Sequence, residues 1–395
     1  MKILYVVQSY FPATVYGGPI FSIHYAAQAL ARRKIDISVS TTNADRPGRL
    51  NVPVKQWVEF EPHYRVKYYH DTILDRFSWG FARGIRRDIA DCDVVHLQDV
   101  FSTYALITLY EAARQKKPLV ISPRGVFSRW AMGAKRSVVK QFWIKRLMAP
   151  RLRAHQAIAW HATSDQEAID TKVYFPAAQP DVIANGIDHS AFQRVAALSR
   201  ADWVKRFVSK PVGDDVAIFI SMGRVHPVKG LDIGLEALAQ LSAKGRKFTY
   251  VVAGRDEGAT DALKAQADAL GIADHVCFVG EILGDEKIQF LKGADLFLFP
   301  SRSENFGLAC LEALAAGLPV IASKDTPWAS LENRGAGRWV ENNPSAIAEA
   351  LADLPLESLV EMRPAARALA ADFGFEAVAD RFKALYEQVS LQGAA

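Results

Sequence analysis

The stretch Leu296–Ala322, LFLFPSRSENFGLACLEALAAGLPVIA, reads as strand, loop, helix, turn and strand. Leu296–Phe299 is a short apolar run, Gly307 and Leu308 open a helix that continues to about Ala316, and Val320–Ala322 resumes an apolar strand. A strand, a helix and a second strand in that order form the βα unit from which parallel sheets are built. The alternation extends outward from here. Upstream, strands are expected at Val216–Ser221, Phe248–Ala253 and Val276–Val279, with helices near Leu231–Ala243, Thr260–Leu270 and Glu286–Lys292. The first half repeats it, with strands at Ile3–Val7, Ile35–Ser40, Val66–Tyr69, Val94–Leu97, Leu119–Ser122, Ala157–His161 and Val182–Ala184 and helices between them.

A chain of 395 residues exceeds the size at which one core stops growing. Turn formers cluster between Gly186 and Asp215, so the reading is an α/β chain of two doubly wound, Rossmann-like domains, 1–188 and 189–374, facing across a cleft. Three helices near Pro344–Leu354, Glu357–Ala371 and Phe375–Val389 close the chain, the last (375–390) packing back on the first domain. In such folds ligands bind at the carboxyl ends of the strands, so the chemistry belongs in the loops just after them.

Two such loops stand out. Met222-Gly223-Arg224-Val225-His226-Pro227-Val228-Lys229-Gly230 follows one strand and opens a helix at Leu231. Exposed amides, the positive end of a helix dipole and two cations make a diphosphate cradle, although an ordinary turn with solvated charges has the same appearance. In the second loop Glu304 precedes the helix start at Gly307 and Leu308, and Glu312 lies within Leu-Ala-Cys-Leu-Glu-Ala-Leu. Carboxylates accept strong hydrogen bonds from sugar or ribose hydroxyls, and a Glu in so apolar a setting needs a partner. A helix-capping Glu304 and a half-exposed Glu312 are the alternative.

Gly-Arg-x4-Lys-Gly, followed by Glu304-x7-Glu312 and Gly-Leu-Pro-Val, resembles the donor-binding half of glycosyltransferase family 4, of the GT-B fold. Gly17-Gly18, Asp93-Val94-Val95-His96, Asn185-Gly186-Ile187-Asp188 and Gly254 fit that family in order, more loosely. The resemblance implies a retaining transfer from a nucleoside-diphosphate sugar, without metal or other cofactor, onto a glycan or polyprenyl-linked acceptor in bacterial exopolysaccharide or lipopolysaccharide assembly. Arg224 and Lys229, with Gly223 between strand and turn, would grip the diphosphate. Glu312 would hold the ribose and Glu304 the sugar. Asn305, Phe306, Gly307 and Leu308 would offer backbone groups, and Gly17-Gly18 would close over the diphosphate. The sequence departs from the family at the end of Leu119–Ser122, where a His is usual and Ser122-Pro123-Arg124-Gly125 stands instead. Arg124 can hold a sugar or phosphate but cannot act as a base. His96 is the nearest alternative, catalytic or structural.

Asp91-Cys92-Asp93 leads into a buried strand rather than following one, so it is not read as a metal-binding Asp-x-Asp. The three cysteines lack ligand-like spacing and read as reduced, buried thiols in a cytoplasmic protein. The apolar run after Met1 is too short for an export signal and reads as a first strand. Residues 1–189 hold 26 Lys and Arg against 16 Asp and Glu, while residues 190–395 hold 22 against 27. Between Arg129 and Arg153, eight cations and no acid interleave with Trp130, Val138, Val139, Phe142, Trp143, Leu147 and Met148. That composition suits peripheral docking to the anionic inner face of a membrane, or a buried helix with snorkelling charges. A GT-B-like nucleotide-sugar epimerase is the competing enzyme class. The basic half admits nucleic acid, against which stand the acidic second half and the lack of an aromatic RNA platform.

Overall fold

The structure is a computed structural model that describes residues 1–71, 77–133, 137–208 and 210–394. It divides into two compact units, Met1–Gly186 with Phe375–Ala395, and Ile187–Gly374.

The first unit is built on an eight-stranded sheet. In spatial order its strands are Pro180–Val182, Ile158–Ala162, Leu119–Ser122, Val94–Gln98, Lys2–Ser9, Asp36–Thr42, Tyr64–Tyr69 and Trp57–Glu61, all parallel except the last. Strand order reverses beside Lys2–Ser9, whose Ile3, Leu4, Tyr5 and Val6 are fully buried between helical layers. A sheet covered on both faces calls for this unbroken apolar run in place of alternation. Helix Phe375–Ala394 closes one layer, adding Phe375, Phe382, Leu385 and Tyr386 to the core made by Ile3, Tyr5 and Ile23. Arg33 ties its first turns at 2.7 Å to Glu376 and 2.9 Å to Asp380.

The second unit carries a six-stranded, wholly parallel sheet ordered Val276–Gly280, Phe248–Ala253, Ala217–Met222, Leu296–Phe299, Val320–Ser323 and Gly337–Val340. Leu296, Phe297 and Leu298 have no exposed surface. Besides the two-residue hairpin strands Ala44–Asp45 and Gly48–Arg49, strands Trp57–Glu61 and Gly337–Val340 have no counterpart in the sequence-based expectation. Both are sheet edges and only partly buried, so neither presents a continuous apolar run. The segment from Gly186 to Asp215 holds two short helices, His189–Arg194 and Arg200–Phe207, capped by Asp188 and Ser199. Trp203 anchors the second, its indole donating to the Phe290 carbonyl at 2.9 Å.

A hydrogen-bonded chain crosses the interior of the first unit. Tyr5 Oη meets Tyr386 Oη at 3.0 Å, Tyr386 Oη meets His96 Nδ1 at 2.7 Å, and His96 Nε2 meets Ser122 Oγ at 2.7 Å. Ser122 Oγ meets His161 Nδ1 at 2.6 Å, and His161 Nε2 donates to the Ile183 carbonyl at 2.8 Å. Tyr386→Phe leaves Tyr5 and His96 short of a partner in a dry interior, an effect worth about 1–3 kcal/mol. The expected outcome is a lower urea midpoint for the first unit, followed by Tyr or Trp fluorescence; an unchanged midpoint contradicts this chain.

Candidate active site

Two loops of the second unit are locked together. The turn after Ala217–Met222 passes through the one-turn helix Pro227–Lys229 into helix Leu231–Ala243. The loop after Leu296–Phe299 lies so close that a Cβ on Gly230 would stand 2.0 Å from the Pro300 carbonyl oxygen, so only glycine fits. Arg302 fastens the pair: its guanidinium donates to both oxygens of Asp232, at 2.7 and 2.5 Å, and to the Pro227 carbonyl at 2.6 Å. Its backbone N–H donates to Val228 at 2.8 Å. A third loop joins through Gly254, where a Cβ would meet the Gly223 carbonyl oxygen at 1.7 Å.

Locked in this way, Arg224 and Lys229 line one small pocket with Gly223, Phe299, Pro300 and Ser301. Lys229 Nζ donates to Glu304 Oε1 at 2.5 Å, and Ser301 Oγ donates to the same oxygen at 3.1 Å. Arg224 is half-exposed and paired with Glu257 at 3.0 Å. Glu312, buried inside helix Leu308–Ala316, is met by Lys287 Nζ at 2.6 Å. The partner that its burial demands is therefore present within the protein. Gly307 caps that helix with a left-handed backbone, and the helix leaves its first amides without carbonyls of their own turn. Phe306 is buried against Trp328 and Phe373, and its carbonyl accepts from the Trp328 indole at 2.6 Å, so that oxygen is already engaged.

The candidates in the first unit separate. Gly17 holds φ 76° and ψ −151°, a glycine conformation, and Gly18 starts helix Gly18–Arg32 with open space at its Cβ position. Arg124 stands just past Leu119–Ser122, with Nε donating to Gln98 Oε1 at 2.8 Å and a terminal nitrogen donating to Asn185 Oδ1 at 3.3 Å. His96 is a correction to the expected site. It is fully buried, both ring nitrogens are taken by Tyr386 and Ser122, and burial, His161 and Arg124 hold its pKa well below the ordinary value. An imidazole so placed has no exposed surface to offer a substrate, and it stays neutral, with a single ring proton, near neutrality. Asp93 ties down the chain's start by accepting from the Lys2 N–H at 2.8 Å.

Two family descriptions match the sequence: "Glycosyltransferase Family 4" over residues 16–191 and "Glycosyl transferases group 1" over residues 205–369. The chain is a glycosyltransferase of family 4. Among its relatives is the GDP-mannose:cellobiosyl-diphosphopolyprenol alpha-mannosyltransferase of Komagataeibacter xylinus, 28% identical over 98% of this chain and 93% of that one. The protein of the same name from Xanthomonas campestris is 25% identical over 97% and 95%. The fold is that of solved GT-B enzymes. Sucrose-phosphate synthase from Thermosynechococcus elongatus superposes with a TM-score of 0.73 at 20% identity, covering 100% of both chains. Anabaena HepE in complex with UDP and glucose gives 0.71 at 20% identity, covering 98% of this chain and 100% of that one. The enzyme therefore depends on a nucleotide sugar.

Sequence reading did not anticipate Lys287, Glu257 or Arg302 in this glycosyltransferase. Each meets its partner 25 to 75 residues away, and none sits in a recognisable motif. Gln98 and Asn185 flank expected positions, but their link through Arg124 shows only in the fold.

The buried imidazoles carry a pH signature. Burial holds His161 at about 3 and His24 at about 4, against an ordinary 6.5. Below about pH 6.5 the unfolded chain takes up protons that the folded chain refuses, so this stability is complete above 6.5 and is lost as the pH falls toward 4. The melting temperature should decline from about pH 6.5 to about 5.5, above the range where ordinary carboxylates titrate. A flat profile there contradicts the burial of these rings.

Proposed function

We propose that this glycosyltransferase transfers mannose from GDP-mannose, with retention of configuration, to a glycan carried on a polyprenyl diphosphate in bacterial exopolysaccharide or lipopolysaccharide assembly. One observation carries the reading of the donor site: Lys229, suited to a phosphate, lies within one hydrogen bond of Glu304, suited to sugar hydroxyls. A ligand that satisfies both has a sugar directly attached to a phosphate. Two relatives that match nearly end to end are both named for GDP-mannose and a diphosphopolyprenol acceptor, which favours that donor over a UDP-hexose.

In this reading Arg224 and Lys229 hold the diphosphate, Glu312 the ribose, and the amides at the start of Leu308–Ala316 receive charge as the phosphate departs. The bond from the anomeric carbon to the diphosphate breaks while the acceptor oxygen bonds to the same face, and a departing phosphate oxygen takes the acceptor's proton. Fixed donors aimed at that developing charge supply the rate enhancement. No step calls for a metal or other cofactor, or for nucleic acid. Lys229 has first to exchange Glu304 for phosphate, a swap that keeps a half-buried ammonium paired throughout.

Thermal shift tests the donor. GDP and GDP-mannose should stabilise the enzyme by about 2.7 kcal/mol at a hundred times the dissociation constant, with UDP and UDP-hexoses inert. Lys229→Ala and Glu312→Gln should each lose about 2–4 kcal/mol of transition-state stabilisation in kcat/KM. Full turnover by either variant removes its residue from the site.

The acceptor reading rests on residues 129–153. Val138, Val139 and Phe142 share one face of helix Ser137–Phe142 and are 74%, 70% and 59% exposed, with Trp130 at 48%. Ile144 and Met148 face inward. Exposed Arg129, Lys145, Arg146 and Arg153 flank this apolar face in sequence, while Lys135 and Arg136 lie outside the described residues. An apolar face with cations on either side of it in sequence complements an anionic bilayer surface. No helix among the described residues is long and apolar enough to cross a membrane. The enzyme should co-sediment with phosphatidylglycerol vesicles at low salt and not with phosphatidylcholine vesicles, and Val139→Ser with Phe142→Ser should abolish this; equal partition of wild type and variant contradicts docking.

A further inference from the structure

Arg124 has a setting that the donor chemistry does not explain. It sits at the carboxyl end of a central strand with φ 59°, a left-handed backbone uncommon for a residue with a side chain, and Asp99, at the end of the neighbouring strand, has φ 117°. Two adjacent strand ends therefore hold strained backbones where doubly wound sheets bind ligands, and strain of this kind gathers at functional sites.

The partners of Arg124 are neutral. Gln98 Oε1 and Asn185 Oδ1 orient the guanidinium without cancelling its charge. The nearby acid, Glu167, is occupied elsewhere: it accepts from the N–H of Gly125 at 2.6 Å and from the N–H and hydroxyl of Thr163 at 2.7 and 2.9 Å. Among the described residues no carboxylate lies within salt-bridge distance of Arg124. Because a guanidinium only donates, Gln98 must turn its oxygen toward Arg124, which fixes the amide's orientation. Its Nε2 is left buried with no partner, on a residue 1% exposed. A half-buried cation oriented by two amides, beside a donor that lacks an acceptor, is a cluster short of one anionic oxygen ligand.

The same strand ends carry the docking segment. Trp143 Nε1 donates to the Val100 carbonyl at 2.9 Å, and Lys140 lies 5.1 Å from the Phe101 ring centroid, so residues just after Asp99 support helix Ser137–Phe142 and the turn that follows. Arg124 itself is five residues before helix Arg129–Met132.

We propose that Arg124 binds the diphosphate of the lipid-linked acceptor, and that Gln98 and Asn185 are positioning residues that orient its guanidinium while leaving its charge available. This deepens the acceptor reading above and rests on it. Arg and a diphosphate match in charge and in bidentate geometry, whereas Lys would lose the fork that Gln98 and Asn185 hold.

Farnesyl diphosphate is the probe, with farnesol as the control lacking phosphate. Binding is measured calorimetrically in a Lys229→Ala background, where the donor cradle is disabled. The parent should bind farnesyl diphosphate and not farnesol, and Arg124→Gln should weaken binding at least tenfold. Gln98→Glu is the discriminating variant. It keeps an oxygen against Arg124 but places a negative charge on it, so it should hold the melting temperature and lose at least tenfold in affinity. If Gln98 were merely structural, Gln98→Glu would bind as tightly as the parent, and that result overturns the assignment. Parent affinity in Arg124→Gln overturns it too. Should the parent ignore farnesyl diphosphate altogether, the lipid-diphosphate acceptor itself is refuted, and this inference with it.

Discussion

The guanidinium of Arg302 makes one rigid body of two loops that leave different strands. Its grip on Asp232 and the Pro227 carbonyl fixes the turn that carries Lys229 against the loop that carries Glu304. Without that clamp each loop would be a surface connection free to fray, and an ammonium and a carboxylate could not be kept within 2.5 Å of one another. Helix starts, positive-φ glycines and the Lys287–Glu312 pair all serve the same end. Pairing Lys229 with Glu304 and Lys287 with Glu312 avoids the cost of an isolated buried ion.

The first unit treats polar groups differently. His96, His161, Ser122, Tyr5 and Tyr386 are spent on one another in a dry chain that joins the sheet to the last helix. Arg124, two residues past Ser122, is instead oriented by amides. The contrast separates residues that satisfy one another inside the fold from one whose described partners are neutral amides, although both kinds occupy strand ends.

How much of this was readable in advance follows from the range of each interaction. The βα alternation is local, and every strand buried on both faces announced itself as a short apolar run. Trp57–Glu61 and Gly337–Val340 did not, because an edge strand needs only one well-buried side. In the cradle, Gly223, Arg224, Lys229, Glu304 and Glu312 were visible because their spacing is a motif. Glu312's partner was not, since Lys287 lies on a different helix. His96 misled because a histidine at a strand end looks available until Tyr386, 290 residues on, is seen to cover it. Residues 129–153 showed no single apolar stripe because the chain tightens into a helix at Ser137–Phe142 and loosens into a wider π turn at Trp143–Met148, which rotates the apolar residues from the outer to the inner side.

Helix Phe375–Ala394 bears on how the molecule comes into being. Its Phe375, Phe382 and Tyr386 complete a core otherwise drawn from residues between Ile3 and Ile183. During translation the ribosome must release the chain beyond Val389 before that core can close, whereas Ile187–Gly374 is contiguous and can condense as it emerges. The opening half thus waits, with an unfinished apolar layer, for its final piece to be made. Its completion requires a contact between Tyr5 and Tyr386, 381 residues apart.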